Sequence, residues 1–521
     1  TQAAQTITGL LREPATLTAT GDPVTVLPDL TFSHAVTLTA GSNAFAFRAT
    51  DPFSNVGAAS LTLVLDLDPP PSPSDLTVSD LVPDSGITIT GGPGAVEGGA
   101  RVEITNQRTG TTVQVVAAGD GSFAAPPLDA LMDDELAVVV IDAAGNASST
   151  TTLIAGPPDP EQVAPPIDRS VASTVTDTTA FLYAGDDPVQ VGVAPGTIDG
   201  ERAAVIRGQV TDRDGEPLRA VLISVPDHPE YGHTRTRADG TFDLAVNGGG
   251  PVTIEYVGAD AFPVQRTVTV PWQGFAQAPA VALVEPDAEA TVVTLGAPAM
   301  QVAAGGPETD ANGSREAVLL IPANTTASLI IGGTSVPASN LTVRLTEYTV
   351  GDRGPEAMPG ELPPTSAYTY AVEISADEAL AAGAERVELS QPLPLYVDNF
   401  LAFPVGERVP LGSYDRAAQR WEPAPNGVVL QVVSVAGGVA AIDTTGDGVA
   451  ESDAVLSSQY GITLEERQTL ATRYIPGASL WRVALTFFSR WDCNWPGGPP
   501  ADAIPPNGGE PTGGLGRERL D

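Results

Sequence analysis

The chain has 521 residues, of which 54 are glycine and 48 are proline, and its formal net charge is −39 with no lysine present. This length exceeds what one hydrophobic core usually serves, so we expect three or four domains with many turns and few helices. Such acidity repels phosphate backbones, which argues against nucleic acid as a partner. The single cysteine, Cys493, excludes an internal disulfide and a cysteine-rich zinc site.

The ends and the apolar runs of the chain bear on processing and membrane insertion. No run of 18 apolar residues could cross a bilayer, so we expect no membrane span. No signal peptide precedes Thr1 and the chain does not begin with Met. We therefore expect a mature product or an excised segment of a longer polypeptide.

The first 156 residues predict two Ig-like β-sandwiches, at residues 1–68 and 74–156. Phe45, Phe47 and Ala49 alternate along one strand, as expected where one face of a strand is buried. A five-residue turn motif that begins with Asp and ends with Asn follows a strand at residues 51–55. The same motif recurs at residues 142–146. The two motifs lie 91 residues apart, which is one Ig-like domain plus a linker. We expect Asp and Asn to stabilise both turns through side-chain bonds to the backbone.

Residues 157–200 are predicted to be a linker and lead-in segment, and residues 201–275 a small antiparallel sandwich of about seven strands. Five runs of alternating apolar residues follow one another there, centred on residues 208, 223, 244, 254 and 268. Asp-Gly pairs at residues 214–215 and 239–240 suit tight turns that need positive φ.

Residues 279–495 predict a β-rich domain, and residues 496–521 a Pro- and Gly-rich linker. Two short helices are expected, beginning at Ser375 and Thr463, because Glu stands three residues after each cap. Tyr414 is expected to pair with Trp421 across a hairpin. The predicted fold class is therefore all-β: tandem Ig-like and transthyretin-like sandwiches followed by a β-rich domain with one or two short helices.

The order of residues in the central sandwich resembles a known module. Residues 208–212, 215–218, 221–225, 236–242 and 253–256 resemble the carboxypeptidase regulatory-like module, which is a transthyretin-like sandwich. With the flanking residues 181–185, 190–198 and 270–273, the segment is similar to the region before the repeat shell of large bacterial RHS (YD-repeat) proteins, relatives of teneurins and of toxin-complex cocoons. The resemblance covers about residues 165–500. It implies no peptidase activity, because metallocarboxypeptidases hold their zinc in a separate catalytic domain that has no counterpart here.

The best candidate for a ligand site is a predicted calcium loop at residues 443–453. A calcium loop places oxygen ligands at positions 1, 3 and 5, glycine at 6, a carbonyl at 7 and an acid near the end. Gly448 falls at position 6, but Ala454 occupies position 12, where an acid is usual. The predicted ligands are Asp443, Thr445, Asp447, Val449 (through its carbonyl) and Asp453. The alternative is an acidic turn between strands without a metal.

The residues that usually carry catalysis are scarce. The three histidines are His34, His228 and His233, and the last two are predicted to lie on a loop of the central module. Prolines at 226 and 229 prevent a helical pair of ligands there. No Ser/His/Asp set or Gly-rich phosphate loop is present. We therefore predict no enzymatic activity and no cofactor other than calcium.

Three hypotheses for function follow. The first is a non-catalytic region of a secreted or surface-bound bacterial RHS/YD-repeat protein. Its Ig-like domains would act as a stalk, and the later domains as a plug-like module before a β-cocoon that encloses a toxin or adhesive cargo. Its partner would be the downstream YD-repeat shell of the same polypeptide. The second hypothesis is a cell-surface adhesin segment that binds carbohydrate or a partner protein through the Ig-like domains. The third is an accessory segment of an enzyme whose catalytic domain follows Asp521.

Overall fold

The computed structural model describes residues 3–82, 85–166, 170–185, 188–363 and 365–496. The chain divides into two compact units. The first unit comprises Thr1–Gln209, Pro217–Gly250 and Thr269–Gln277, and the second comprises Val210–Glu216, Pro251–Val268 and Ala278–Asp521. Strands dominate both units, which confirms the all-β prediction. The linker predicted at residues 496–521 lies outside the described residues, apart from residue 496.

The first unit begins with a small sandwich of six strands. They are β1 (Ala4–Leu10), β2 (Thr16–Ala19), β3 (Asp22–Val24), β4 (Thr31–Thr37), β5 (Gly41–Thr50) and β6 (Val56–Leu65). One sheet has the order β3-β2-β5-β6 and the other pairs β1 with β4. Phe47 is buried with Ile7 and Leu17 between these sheets, as the alternation in β5 predicts. In the β5–β6 turn, the Asp51 carboxylate accepts backbone N–H groups of Phe53 and Asn55.

A second sandwich follows in the same unit. Its strands are β7 (Leu76–Val78), β8 (Ile89–Gly91), β9 (Arg101–Asn106), β10 (Thr112–Val116), β11 (Phe123–Ala124), β12 (Glu135–Ile141) and β13 (Thr151–Ile154). They form two sheets, β10-β9-β12-β13 and β11-β8-β7, around a core that includes Ile89, Val102 and Leu136. Asn146 donates its side-chain N–H to Asp142, which reproduces the turn of the first sandwich.

The transthyretin-like segment contributes residues to both units. Its elements, with the lead-in, are α1 (Pro160–Val163), α2 (Val175–Thr179), β14 (Gln190–Val191), β15 (Ala203–Thr211), β16 (Leu222–Ser224), β17 (His233–Arg235), β18 (Thr241–Asn247), β19 (Gly250–Val257), β20 (Val264–Val270), β21 (Gly274–Gln277) and β22 (Val281–Ala282). The five predicted strands are β15, β16, β18, β19 and β20. The segment is not wholly antiparallel as predicted, because β15 pairs in parallel with β21 and β22. Gly215 and Gly240 have φ of +94° and +75°, as the predicted turns require. The prediction that His233 lies on a loop is wrong, since it begins β17, which pairs with β16.

The second unit is built on one large sheet whose strands differ in length. Its elements are β23 (Thr291–Thr294), β24 (Gln301–Ala304), β25 (Glu308–Asp310), β26 (Gly313–Arg315), β27 (Ala317–Ile321), β28 (Ala327–Ile331), β29 (Thr334–Pro337), β30 (Asn340–Glu347), α3 (Gly354–Ala357), β31 (Ala371–Ala376), α4 (Asp377–Ala381), β32 (Arg386–Asp398), β33 (Arg408–Asp415), β34 (Arg420–Ala436), β35 (Val439–Asp443), α5 (Asp453–Tyr460), α6 (Leu464–Arg473), β36 (Ser479–Phe488) and β37 (Arg490–Asp492). The sheet runs β23-β30-β31-β37-β33-β34-β36-β32-β27-β24, with β28, β29 and β35 paired off this path. Tyr414 lies opposite Trp421 between β33 and β34, as predicted.

The helices of this unit confirm one predicted start and correct the other. Thr463 caps α6 in a capping box with Glu466, as predicted. Ser375 does not cap a helix, because it is a buried residue of β31, and α4 begins at Asp377 after the cap residue Ala376. Helix α5 was not predicted. Leu456 is its one buried residue, so α5 lacks the apolar periodicity that marks a helix in sequence.

A buried polar network ties α6 to the large sheet. The Glu466 carboxylate is 1% exposed and lies 2.6 Å from Nε of Arg482 on β36. The Tyr396 hydroxyl on β32 donates to the same carboxylate. Burial, together with the nearby Glu466 charge, raises the pKa of Tyr396 well above its ordinary value, so this hydroxyl stays a donor.

Candidate functional site

The predicted calcium loop, residues 443–453, connects β35 with α5 in the second unit. Gly446 and Gly448 have φ of +83° and +78°, a left-handed conformation that favours glycine. A Cβ at Gly446 would lie 2.6 Å from the carbonyl oxygen of Val405, so no larger residue fits there without a shift. The glycines that fit the calcium pattern thus also have a purely conformational reason to be present.

Asp443 is the centre of this loop. Its carboxylate is buried, and its oxygens accept the backbone N–H groups of Thr445, Gly446 and Gly448, each at 2.8 Å. Burial acts to raise the pKa of Asp443, but these N–H donors outweigh it and hold the pKa below its ordinary value. Asp443 is therefore a carboxylate that organises its own loop.

The other predicted ligands do not all converge on Asp443. Thr445 donates its hydroxyl to Asp443 at 3.3 Å, whereas the exposed Asp447 accepts the N–H of Val449. Asp453 is the first residue of α5 and forms an ion pair with Arg467. Glu451, which the sequence pattern does not single out, accepts the N–H of Thr444.

This geometry accounts for the loop as an acidic turn and leaves calcium binding as a prediction. The turn does not lie between two strands as predicted, because helix α5 follows β35. A carboxylate offers about four lone-pair sites, and Oδ2 of Asp443 accepts one N–H, so a cation could share that oxygen. Within the part of the chain that the structure describes, no three His, Cys, Asp or Glu side chains are grouped to hold a metal ion. A calcium ion here would therefore rely on Thr445 and on main-chain carbonyls such as that of Val449.

The three histidines lie apart and occupy different environments. His34 on β4 packs edge-on against Phe47, and His228 contacts the carboxylate of Glu230 at 2.9 Å. Nε2 of His233 lies 2.6 Å from the carboxylate of Asp133 in the loop before β12. In these contacts, none of the three histidines meets a serine or cysteine side chain.

Asp133 forms a junction within the first unit that sequence inspection did not detect. Its carboxylate contacts both His233 and the guanidinium of Arg235, which lie on β17 about 100 residues away. Burial acts to raise the pKa of Asp133, but the bonds from His233 and Arg235 outweigh it and the pKa is lowered. A neighbouring contact is the backbone N–H of Ala238, which donates to Asp80 at 2.8 Å. These bonds join the second sandwich to the transthyretin-like strands β16–β18.

Comparison with protein families assigns two of these segments. Residues 198–283 match the family model of the teneurin TTR-like domain. Residues 70–156 match the model of a bacterial Ig domain. These models describe β-domain types and not enzyme families. The resemblance predicted for about residues 165–500 is therefore confirmed for residues 198–283, as similarity to the teneurin TTR-like domain.

Curated relatives give the same assignment over a limited span. Teneurin-4 of Mus musculus is 35% identical over 125 residues, which are 23% of this chain and 4% of that protein. Teneurin-1 of Gallus gallus is 37% identical over 126 residues, again 23% and 4%. Teneurin-m of Drosophila melanogaster is 47% identical over 76 residues, or 15% and 3%. The chain thus spans about a twenty-fifth of the length of the teneurins that it matches.

Solved structures with some similarity include two bacterial adhesins. A Ca²⁺-stabilized adhesin that helps an Antarctic bacterium bind ice shows 14% identity and a TM-score of 0.20, covering 82% of this chain and 93% of that one. A 1.5-MDa ice-binding adhesin shows 16% identity and a TM-score of 0.18, covering 52% and 91%. TM-scores this low do not establish a shared overall fold. No helix in the described ranges is long and apolar enough to cross a membrane.

Proposed function

We propose that this chain is a structural region of a secreted or surface-bound bacterial RHS/YD-repeat protein. Its Ig-like sandwiches serve as a stalk, and the transthyretin-like segment and the β-rich domain form a plug-like module at one end of a β-cocoon. The observation that carries this proposal is the match of residues 198–283 to the teneurin TTR-like domain, directly followed by a large sheet. The partner on this proposal is the repeat shell of the same polypeptide.

In the second unit, a buried contact between β20 and residues 356–358, called the joint below, is suited to a supporting role. Arg266 on β20 is 3% exposed, and its guanidinium donates to the carbonyl oxygens of Met358 and Glu356 at 2.8 and 2.7 Å. A buried cation is costly unless it is well bonded, so this arrangement is stable only while residues 356–358 stay in place. Burial lowers the pKa of Arg266, in keeping with a dry environment.

Further bonds surround this joint. The Tyr414 hydroxyl donates to Gln265 at 2.8 Å, and Arg416 lies 2.7 Å from Glu255 on β19. The hairpin of β19 and β20 is thereby fixed to β33 and its turn. A hairpin held by buried polar bonds at several points resists bending, which favours a supporting role over a flexible tether.

The carbohydrate-binding form of the adhesin hypothesis lacks the surface that would favour it among the described residues of the Ig-like sandwiches. Carbohydrate-binding sheets usually present aromatic side chains on an open face. Among the described residues of the two Ig-like sandwiches, Phe53 is the strongly exposed aromatic residue, and it lies on a turn. The structural role is therefore the function that we advance.

The test is the polypeptide beyond Asp521. The proposal predicts tandem Tyr-Asp repeats encoded directly downstream, and electron cryomicroscopy of the longer chain is expected to place residues 198–496 against one end of the shell. A hydrolase domain in that position would instead support the accessory-segment hypothesis. A shell whose ends are both closed by other segments would contradict the plug-like role.

A further inference from the structure

Strand β6 presents a long open edge in the first sandwich. Its ten residues, Val56–Leu65, pair only with β5 in the described part of the chain, and β6 ends the sheet order β3-β2-β5-β6. The N–H and C=O groups directed away from β5 are therefore available to another strand. At about 3.4 Å per residue, this edge is about 34 Å long.

The edge lacks the features that usually protect one. Natural edge strands carry charges, prolines or bulges, or are very short. The opposite edge of the same sheet, β3, has three residues and includes Asp22 and Pro23. By contrast, residues 52–65 contain no charged residue, although the chain has 64 acidic residues, and β6 has neither a proline nor a register shift against β5.

Apolar side chains are exposed along and beside this edge. Val56 is 49% exposed, Leu61 37% and Val64 59%, and Phe53 on the preceding turn is 86% exposed. Because residues 52–65 carry no acidic side chain, this edge offers a basic partner no opposite charge to pair with. A charged side chain placed against this edge would lose hydration without gaining an opposite charge, so the edge favours a partner strand that is itself uncharged. Strand β6 of a second copy is such a strand, although the two chains as wholes, each with a net charge of −39, repel each other.

We propose that β6 pairs antiparallel with β6 of a second copy of the chain, which extends the sheet β3-β2-β5-β6 across a two-fold axis. The faces of the sheet fix the register, because residues opposite each other on paired strands share a face. Only two nearly complete registers satisfy this rule. They place Ser60 opposite Ser60, or Leu61 opposite Leu61, of the second copy.

The proposed pairing is weak because its interface is small. One strand edge buries less than the roughly 1,000 Å² that a stable interface usually needs, so the dimer dissociates on dilution. Tethering many chains on one surface raises their effective concentration and makes such an edge effective. Self-association through the first sandwich is independent of the plug-like role of residues 198–496.

Sedimentation equilibrium of the 521-residue chain tests the proposal. The weight-average mass is expected to rise from monomer towards dimer with concentration. The double variant Ser60→Lys/Thr62→Lys, which places charge on the outward face of β6, is expected to remain monomeric. The control Ala44→Lys/Ala46→Lys places the same two charges on the same face of β5, opposite Thr62 and Ser60 but one strand inside the edge, and is expected to dimerise. Matched circular dichroism melts check that all variants fold.

Cysteine cross-linking locates the contact. Cys493 is 2% exposed, so an introduced surface thiol is the reactive one. Either Ser60→Cys or Leu61→Cys is expected to give a disulfide-linked dimer under mild oxidation, whereas Ala46→Cys is not. Four results would each overturn the proposal: a monomer at all concentrations, dimerisation unaffected by the β6 double lysine variant, equal loss of dimer in Ala44→Lys/Ala46→Lys, or a dimer that neither β6 thiol cross-links.

Discussion

The replacement Glu466→Ala should strongly destabilise the second unit. Glu466 holds Arg482, whose side chain is 7% exposed, and it accepts the Tyr396 hydroxyl. Removing one member of a buried ion pair costs about 3–5 kcal/mol, because the other charge remains buried. A buried hydroxyl left without an acceptor costs about 1–2 kcal/mol more. The expected loss is therefore about 4–7 kcal/mol, a large part of the stability of an ordinary domain.

The measurement is urea unfolding, followed by the fluorescence of Trp481, which lies next to Arg482 and is 1% exposed. Glu388→Ala is the matched control, since Glu388 also contacts an arginine, Arg386, but both side chains are about half exposed. Exposed ion pairs contribute about 0–1 kcal/mol, so the control should change stability little.

A triple variant separates the loss of partners from the loss of packing. Tyr396→Phe, Glu466→Leu and Arg482→Met together remove the three polar side chains of the network and keep similar volumes. This variant should be more stable than Glu466→Ala alone, because no buried charge or hydroxyl remains without a partner. If Glu466→Ala costs less than about 1 kcal/mol, or no more than Glu388→Ala, the network does not hold α6 to the sheet as argued.

Three further predictions concern single carboxylates. Burial raises the pKa of Asp492 to about 6, so folding favours the protonated form of this carboxyl. The stability gained from that protonation is fully present below the pKa of the unfolded chain, near 4, and is lost as the pH rises through about 6. Asp492→Asn should therefore be more stable than wild type at neutral pH, by about 3 kcal/mol at most, with the difference vanishing near pH 4 in parallel thermal melts. Asp443→Ala should destabilise the 443–453 loop by about 2 kcal/mol, and if the loop binds calcium, wild type alone should melt higher on addition of CaCl₂; no shift in wild type would remove the calcium prediction. Asp133→Asn should speed amide exchange in β17, while exchange in the exposed control Asp129→Asn should stay unchanged; equal protection in both would mean that Asp133 does not join the sandwiches.

Sequence patterns predicted the strands of this protein well where one face is buried. The five runs of the transthyretin-like segment and the Phe45–Phe47 alternation correspond to strands because burial of one face imposes a period of two. The capping box at Thr463 was also readable, since its two partners lie three residues apart. Ser375 carries the same local pattern, but strand pairing within β31 overrides it.

Contacts between distant residues could not be predicted in this way. Asp133 meets His233 and Arg235 only after two sandwiches have folded, and nothing in the local sequence of residue 133 signals those partners. For the predicted calcium loop, the local pattern is readable in the sequence but does not decide between two roles. The sequence pattern predicted a loop that starts at Asp443, which ends β35, and includes both glycines, yet the same residues serve a turn without metal equally well.

The joint at Arg266 has an evolutionary consequence. Its acceptors are the main-chain oxygens of residues 356 and 358, and every amino acid supplies such an oxygen. Substitutions at those two positions that keep the backbone in place therefore leave the bonds to Arg266 intact, and no compensating change at residue 266 is required. Coevolution methods, which detect paired substitutions, would find no signal for this joint among homologues, although it fixes the hairpin of β19 and β20.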